Sequence, residues 1–229
     1  MYFDPMYWIA IGLGMALSLW AQFKVKSTFS KYSKRATSSR LTGADVARRI
    51  LADNGISDVR VEPVPGDLSD HYDPRTKTLR LSEPVYGSNS MAAFGVAAHE
   101  VGHAIQHAQK YAPLGFRSAW VPVANFGGGL SMLVIMGAFM MGGAATATGS
   151  QLGMLGVLLF GTTTVFTMIT LPVEFDASKR ALATLERGGY VSSQELDGAR
   201  KVLNAAAMTY VAAFVTSLAY FLWHLLPLL

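Results

Sequence analysis

The stretch SNSMAAFGVAAHEVGHAIQHAQK, residues 88–110, is the most informative part of the chain. Asn89 or Ser90 can cap a helix that we expect to run to about Lys110. Residues 91–98 are apolar on every side, which predicts a buried helix rather than one with a solvent-exposed face. Polar residues accumulate from His99 onward, and buried polar groups need partners.

Within this helix, His99, Glu100 and His103 form the pattern HExxH. Positions i and i+4 lie on one helix face about one turn apart, so both imidazoles can reach a single ion. Glu100 is offset by about 100° and can address water on that ion without ligating it. Zinc lowers the pKa of bound water towards about 7, and Glu100 can accept the proton. Because the chain has no cysteine, we expect one Zn²⁺ held by His and carboxylate ligands.

A third ligand has to come from elsewhere in the chain. His107, at position i+8, would lie about 12 Å along the axis from His99, so we expect it to support the site or lie at the surface. Glu174 is the favoured ligand, because it follows an uncharged stretch, and a carboxylate near the bilayer is costly unless it is paired or binds a metal. An i,i+4 pair between Asp176 and Arg180 would leave Glu174 free. The other candidates considered are His71, Asp73, Glu83 and Asp176.

The composition indicates a membrane protein. Apolar residues make up 51% of the chain and charged residues 15%, against roughly 25% charged in soluble domains. Four apolar stretches predict about four transmembrane helices, at residues 5–23, 123–146, 151–171 and 205–229. The lipid bilayer is therefore an expected partner. No basic run is interleaved with aromatic residues, so we expect no nucleic-acid partner.

Basic residues orient these predicted spans. Six lysines and arginines follow the first span, whereas Asp4 is the charge on its N-terminal side. The positive-inside rule then places residues 24–120 and 172–204 in the cytoplasm, and the 147–150 turn and both termini outside. We therefore expect a multi-pass protein of the bacterial cytoplasmic (inner) membrane, whose two polar segments build one site facing the cytoplasm.

The first polar segment predicts a small α+β unit. Thr42 and Asp45 suit a capping box at the start of an amphipathic helix, and DVRVEPV alternates like a strand. Asp73-Pro74-Arg75 suits a turn between two short strands. The predicted organisation is an N-terminal transmembrane anchor (1–23), a cytoplasmic α+β catalytic region with the HExxH helix (24–120), a transmembrane hairpin (121–171), a cytoplasmic helical segment with the third metal ligand (172–204) and a C-terminal transmembrane helix (205–229).

AAHEVGHAIQH followed by LPVEFDASKRA, on a chain beginning MYFDPMYW, resembles the YugP-type bacterial membrane neutral zinc metallopeptidases over essentially the whole chain. More distantly it resembles the HtpX-like gluzincins, in which a later E-x-x-x-D segment completes HExxH. The corresponding residues here are Glu174 and Ser178, so the supporting carboxylate is missing and Asp176 is a candidate substitute. The resemblance implies a zincin-like fold and zinc-dependent endopeptidase activity at the cytoplasmic face of the membrane, on protein or peptide substrates.

Several roles and rival functions stay open at this stage. His71, Tyr72, Tyr86 and Arg180 are candidate donors to the oxyanion, and the strand at residues 78–82 is expected to pair an extended substrate through its edge. One rival function is an intramembrane site-2-type protease using Leu196-Asp197-Gly198, which we interpret as a solvated turn. The other is a non-catalytic zinc-stabilised scaffold or adaptor. A homo-oligomer or a membrane-protein partner is compatible with the sequence.

Overall fold

The computed structural model describes residues 5–226, without the side chains of residues 5–7 and 10. The chain is mainly helical and divides into two compact units: unit 1 (Met1–Trp20, Gly115–Leu171, Thr209–Leu229) and unit 2 (Ala21–Leu114, Pro172–Met208). The elements are α1 (Pro5–Ser33), α2 (Gly43–Asp53), β1 (Arg60–Val64), β2 (His71–Asp73), β3 (Thr78–Ser82), α3 (Glu83–Tyr86), α4 (Met91–Ala108), α5 (Ala112–Met140), a short 3₁₀ helix (Gly143–Ala145), α6 (Ala147–Arg187) and α7 (Ser193–Leu225).

Unit 1 consists of helical segments with a largely apolar surface. Large apolar side chains such as Leu13, Phe126 and Met140 are 67%, 71% and 83% exposed. An extended surface of this kind is unfavourable in water and suited to lipid. In the part of the chain that the structure describes, three helices, α5, α6 and α7, are long and apolar enough to cross a membrane. The structure therefore supports a membrane protein.

Glycines allow the helices of unit 1 to approach each other closely. A Cβ atom on Gly127 would lie 2.2 Å from Thr162 Oγ1, and one on Gly161 would lie 2.9 Å from the ring of Phe221. The indole N–H of Trp120 donates to the Thr162 carbonyl over 2.9 Å. Small residues at helix contacts are typical of packing in lipid, where close dispersion contacts replace the hydrophobic effect.

The predicted first span is not among the three candidate membrane helices found in residues 5–226. The structure shows that this segment is helical as part of α1, which continues to Ser33. Its crossing of the membrane stays a prediction, as does the count of four spans. The predicted outer ends, residues 1–4 and 227–229, lie outside the described residues.

One predicted boundary in the membrane segment was wrong. The turn between the central spans lies at residues 141–146 rather than 147–150, because Gly142 (φ 95°) and Gly143 (φ 57°) adopt the left-handed conformation that ends the helix. Pro172 lies inside a continuous α6. The proline removes one backbone donor, a loss that contacts with neighbouring helices can offset.

Unit 2 begins with α2, which is stabilised as predicted. The Thr42 hydroxyl accepts a hydrogen bond from the Asp45 backbone N–H, and the Asp45 carboxylate accepts one from the Thr42 N–H, forming a capping box. Val46 and Ile50 on the apolar face of α2 are fully buried, in the same core cluster as Phe94 of α4. This core anchors the helix that carries the HExxH pattern.

The sheet of unit 2 has the order β1-β3-β2. β2 and β3 form the predicted antiparallel hairpin, while β1 pairs with β3 in parallel. Leu79 and Leu81 of β3 are fully buried. The expectation that β3 pairs a substrate was wrong, because both of its edges are already hydrogen-bonded to neighbouring strands.

Candidate metal centre

His99, Glu100 and His103 lie on α4, a capped and largely buried helix that holds them in place. Ser90 is the N-cap, and its hydroxyl accepts a hydrogen bond from the Ala93 N–H over 3.2 Å. Both imidazoles project from one face of α4, with the ring centroids of His99 and His103 4.8 Å apart and the rings nearly perpendicular. Glu100 lies between them in sequence, and its side chain is buried.

Glu174 of α6 approaches the same two imidazoles. Its Oε2 atom lies 3.2 Å from His99 Nε2 and 3.5 Å from His103 Nε2. Within the described residues, these three side chains form the one group of His and acidic residues whose candidate ligand atoms all lie close enough, within 4.8 Å of one another, to hold a metal ion.

The geometry of this group suits zinc. Tetrahedral zinc with ligands at 2.0–2.1 Å separates neighbouring ligand atoms by about 3.3 Å, close to the two distances from Glu174. The Glu174 side chain is 4% exposed, and those of His99 and His103 are 13% and 12% exposed. A buried carboxylate facing two imidazole nitrogens is a donor set that can hold a divalent cation.

The other ring nitrogen of each histidine also has a partner. His99 Nδ1 lies 3.1 Å from the Ser178 hydroxyl, and His103 Nδ1 lies 3.0 Å from Gln106 Oε1. Such contacts at Nδ1 leave both Nε2 atoms directed at Glu174 and available to a metal. Ser178, which lacks the carboxylate that the gluzincin pattern has, therefore still supports His99 through its hydroxyl.

Gln106 is the residue that sequence reasoning missed. Its amide is fully buried and lies on the same face of α4 as His103, three residues further on. Asp176, expected to replace the missing carboxylate, contacts Gln106 Nε2 over 2.8 Å. The available signal in the sequence was a polar residue at i+3 from His103, on the same face of the helix.

Burial determines the proton affinity of Glu100. Desolvation raises the pKa of its carboxyl above the ordinary value for glutamate. The imidazoles of His99 and His103 act in the opposite direction, and the carboxylates of Glu174 and Asp70 raise the pKa further. A carboxylate with a raised pKa is suited to accepting a proton near neutral pH.

The remaining predicted site residues lie outside the group of three. Tyr72 Oη contacts His107 Nδ1 over 2.8 Å, which links the edge strand β2 to the end of α4. Burial raises the pKa of Tyr72 to about 12, so its hydroxyl stays protonated at neutral pH. His71 is exposed on β2. Tyr86 accepts a hydrogen bond from Arg48 of α2 over 2.8 Å.

The predicted pair between Asp176 and Arg180 is present, with Arg180 Nε donating to Asp176 Oδ2. Arg180 Nη1 also donates to Gln109 Oε1. Since Asp176 accepts from Gln106 as well, Arg180 is connected to His103 through a chain of hydrogen bonds. Asp176 and Arg180 thus lie outside the group of three and are linked to it through Gln106.

Leu196-Asp197-Gly198 is not the solvated turn that we expected. These residues lie in the first turns of α7, because Ser193 starts the helix and Glu195 accepts a hydrogen bond from the Ser192 N–H at its N-terminus. The Asp197 side chain is 55% exposed and forms an ion pair with Lys201. It does not belong to the group of candidate ligands found among the described residues.

Comparison with known proteins identifies the family of the chain. A family model described as "Putative neutral zinc metallopeptidase" matches residues 7–228. The chain is 50% identical over 204 residues, 89% of its own length and 88% of the relative's, to the Bacillus subtilis (strain 168) protein described as "Putative membrane protease YugP". No solved structure matches the chain. The resemblance noted from the motifs is thereby confirmed, and the chain belongs to the neutral zinc metallopeptidase family defined by that model.

Proposed function

We propose that the protein is a membrane-embedded zinc-dependent endopeptidase that hydrolyses peptide bonds in membrane or membrane-proximal proteins. The observation that carries this proposal is the convergence of His99 Nε2, His103 Nε2 and Glu174 Oε2 at one buried point. Family membership and the relative named as a membrane protease support the same reaction class.

In this proposal His99, His103 and Glu174 hold one Zn²⁺, and Glu100 is the general base. When bound, the zinc ion would act as a Lewis acid, polarising the scissile carbonyl and lowering the pKa of bound water. Glu100 takes a proton from the attacking water and gives it to the leaving amine. Its burial favours the uptake of the proton, because a raised pKa makes the carboxylate a stronger base. Candidate oxyanion donors are His71, Tyr72, Tyr86 and Arg180, and Tyr72 is protonated as this role requires.

The proposed orientation places this site in the cytoplasm, next to the inner membrane, with both termini outside. It rests on the basic residues that follow the first predicted span and on those in residues 172–204. All three candidate ligands and Glu100 belong to unit 2, which contains both of these basic segments. A cysteine introduced at Ser38, which is exposed, should resist a membrane-impermeant thiol reagent in intact cells and react after lysis. Labelling in intact cells would contradict the proposed orientation and indicate that this segment lies outside the cell.

The deciding experiment compares the detergent-purified protein with its Glu100→Gln variant. Both are incubated with an unfolded test protein, and zinc is measured in both. We expect cleavage by the parent and none by the variant, with one zinc in each, because glutamine keeps the shape of the side chain and cannot accept the proton.

Two other outcomes would contradict the proposal. One zinc in each protein without cleavage in either would favour the zinc-stabilised scaffold. Absence of zinc from both would refute the metal centre. The site-2-type alternative is not favoured, because Asp197 is exposed, pairs with Lys201 and does not join the candidate ligands found among residues 5–226.

A further inference from the structure

Gln106 is a fully buried polar side chain beside the candidate metal centre. It is 0% exposed, and its Oε1 lies 3.0 Å from His103 Nδ1. Its Nε2 donates to two oxygens, the carbonyl of Val173 and Oδ2 of Asp176, both over 2.8 Å. Both of these partners are acceptors, so the NH₂ group has to face them and the amide oxygen has to face His103.

This arrangement decides the tautomer of His103. An acceptor at 3.0 Å from Nδ1 requires Nδ1 to carry the hydrogen, which leaves the lone pair of the neutral imidazole on Nε2. Nε2 is the atom that lies 3.5 Å from Glu174 Oε2. We propose that Gln106 is a positioning residue that holds His103 in the tautomer and ring orientation that bind zinc through Nε2. The inference rests on the proposed zinc site and adds the residue that prepares one of its ligands.

Asp176 and Arg180 stabilise the Gln106 amide on its NH₂ side, away from His103. The Asp176 carboxylate accepts from both Gln106 Nε2 and Arg180 Nε. A charged acceptor on the NH₂ group polarises the amide and strengthens the hydrogen bond at its oxygen. The Asp176 carboxylate thus acts on His103 indirectly, through the neutral amide of Gln106. A carboxylate placed directly at Nδ1 would instead add negative charge beside Glu100 and Glu174.

Ser178 gives a weaker constraint at His99. A hydroxyl can rotate and can either donate or accept, so its contact with His99 Nδ1 does not by itself select a tautomer. Gln106 has no such freedom, because all of its hydrogen-bonding directions except one oxygen lone pair are assigned by neighbours. We therefore expect His103 to depend on its partner more strongly than His99 does.

The test measures zinc affinity by competition with a chromophoric chelator, on the full chain in detergent. Gln106→Met keeps the side-chain length and apolar packing but removes the acceptor, and we expect zinc binding to weaken by about 10–100-fold. Gln194→Met is the matched control. Gln194 is exposed near the start of α7 and lies outside the hydrogen-bond network of Gln106, so its replacement should leave zinc affinity unchanged.

A second readout does not depend on activity. The visible absorption of the Co²⁺-loaded protein reports the geometry of the ligands, and we expect it to change in Gln106→Met but not in Gln194→Met. Two variants of Asp176 extend the test if Gln106→Met does not fold. Asp176→Asn retains an oxygen acceptor for Gln106 Nε2, whereas Asp176→Leu removes it, so zinc affinity should decrease from the parent to the asparagine variant to the leucine variant.

Unchanged zinc affinity and an unchanged cobalt spectrum in folded Gln106→Met, or in folded Asp176→Leu if the first does not fold, would overturn the inference. Failure of the proposed function is seen separately. A parent protein that binds zinc but cleaves nothing contradicts the endopeptidase, while the affinities of the variants still decide the role of Gln106. A parent that binds no zinc refutes both.

Discussion

Gly102 of α4 faces the backbone of Ala177 of α6 so closely that a Cβ atom on Gly102 would lie 2.5 Å from the Ala177 carbonyl oxygen. The same added carbon would lie 3.1 Å from the carbonyl carbon. Since Ala177 lies between Glu174 and Ser178 in sequence, this contact sets how closely both side chains approach the histidines of α4. A glycine inside a helix usually destabilises it, so its presence here is explained by the close approach of two backbones.

Gly102→Ala should therefore damage the site. Helix propensity favours alanine by about 1 kcal/mol, but an extra carbon pressed against backbone typically costs about 1–3 kcal/mol because the helices have to move apart. We expect lower stability and weaker zinc binding, measured by thermal unfolding and chelator competition. Gly115→Ala in α5, where an added Cβ has open space, should leave both unchanged or slightly raise stability. Equal zinc affinity in Gly102→Ala and the parent would contradict this account.

Glu174→Ala should lose zinc, whereas Asp197→Ala should keep it. Removing Glu174 takes away one of three converging ligand atoms, so we expect the purified variant to lose zinc. Asp197 is half exposed in a surface ion pair, so its removal should cost less than about 1 kcal/mol and leave one zinc bound. Zinc lost from Asp197→Ala and kept in Glu174→Ala would favour the site-2-type arrangement instead.

The capping box of α2 should make part of the stability depend on pH. Hydrogen bonds from the Thr42 side chain and backbone lower the pKa of Asp45 below its ordinary value of 3.8. A lowered pKa contributes stability above the unfolded-state pKa, and that contribution is lost as pH falls through the folded-state value. Asp45→Asn should therefore be less stable than the parent at pH 7, by about 1 kcal/mol at most, and the gap should narrow below about pH 4. Thermal unfolding between about pH 7 and about pH 3 measures it, and a constant gap would contradict the assignment.

Glu195 should matter for stability but not for zinc. Its carboxylate accepts hydrogen bonds from the Ser192 N–H over 2.7 Å and from the Ser38 N–H, which is 157 residues away in the chain. Glu195→Ala leaves these donors without this acceptor and should destabilise the protein by about 1–3 kcal/mol. Glu186→Ala, at an exposed position of α6, is the control and should have little effect. Weaker zinc binding in folded Glu195→Ala would show a coupling that these contacts do not predict.

Local sequence signals predicted most of unit 2. Thr42 and Asp45 are three residues apart and form their capping box without help from distant residues. The same holds for the hairpin around Asp73 and for Ser90 as the cap of α4, because caps and turns depend on neighbours in the chain. Spacing alone also placed His99 and His103 on one face of a helix.

Predictions failed where long-range packing decides the outcome. The strand β3 looked available to a substrate, yet β1 pairs with its other edge, and no local pattern reveals the order of strands in a sheet. Gly142 and Gly143, rather than the polar residues after them, provide the turn before α6. The turn needs positive φ angles, which glycine adopts readily and other residues rarely do.

The sequence by itself determined that this is an apolar, membrane-type chain carrying HExxH on a buried helix, because composition and helical periodicity are local properties. Only the tertiary structure decided that Glu174 Oε2 meets both histidines, that Ser178 and Gln106 occupy their Nδ1 atoms, and that β3 is enclosed. The contacts of Glu174 and Ser178 with His99 join residues 75 and 79 positions apart, and they depend on how closely α4 and α6 pack. That approach is set by a glycine facing a backbone carbonyl, a relationship that exists only in the folded chain.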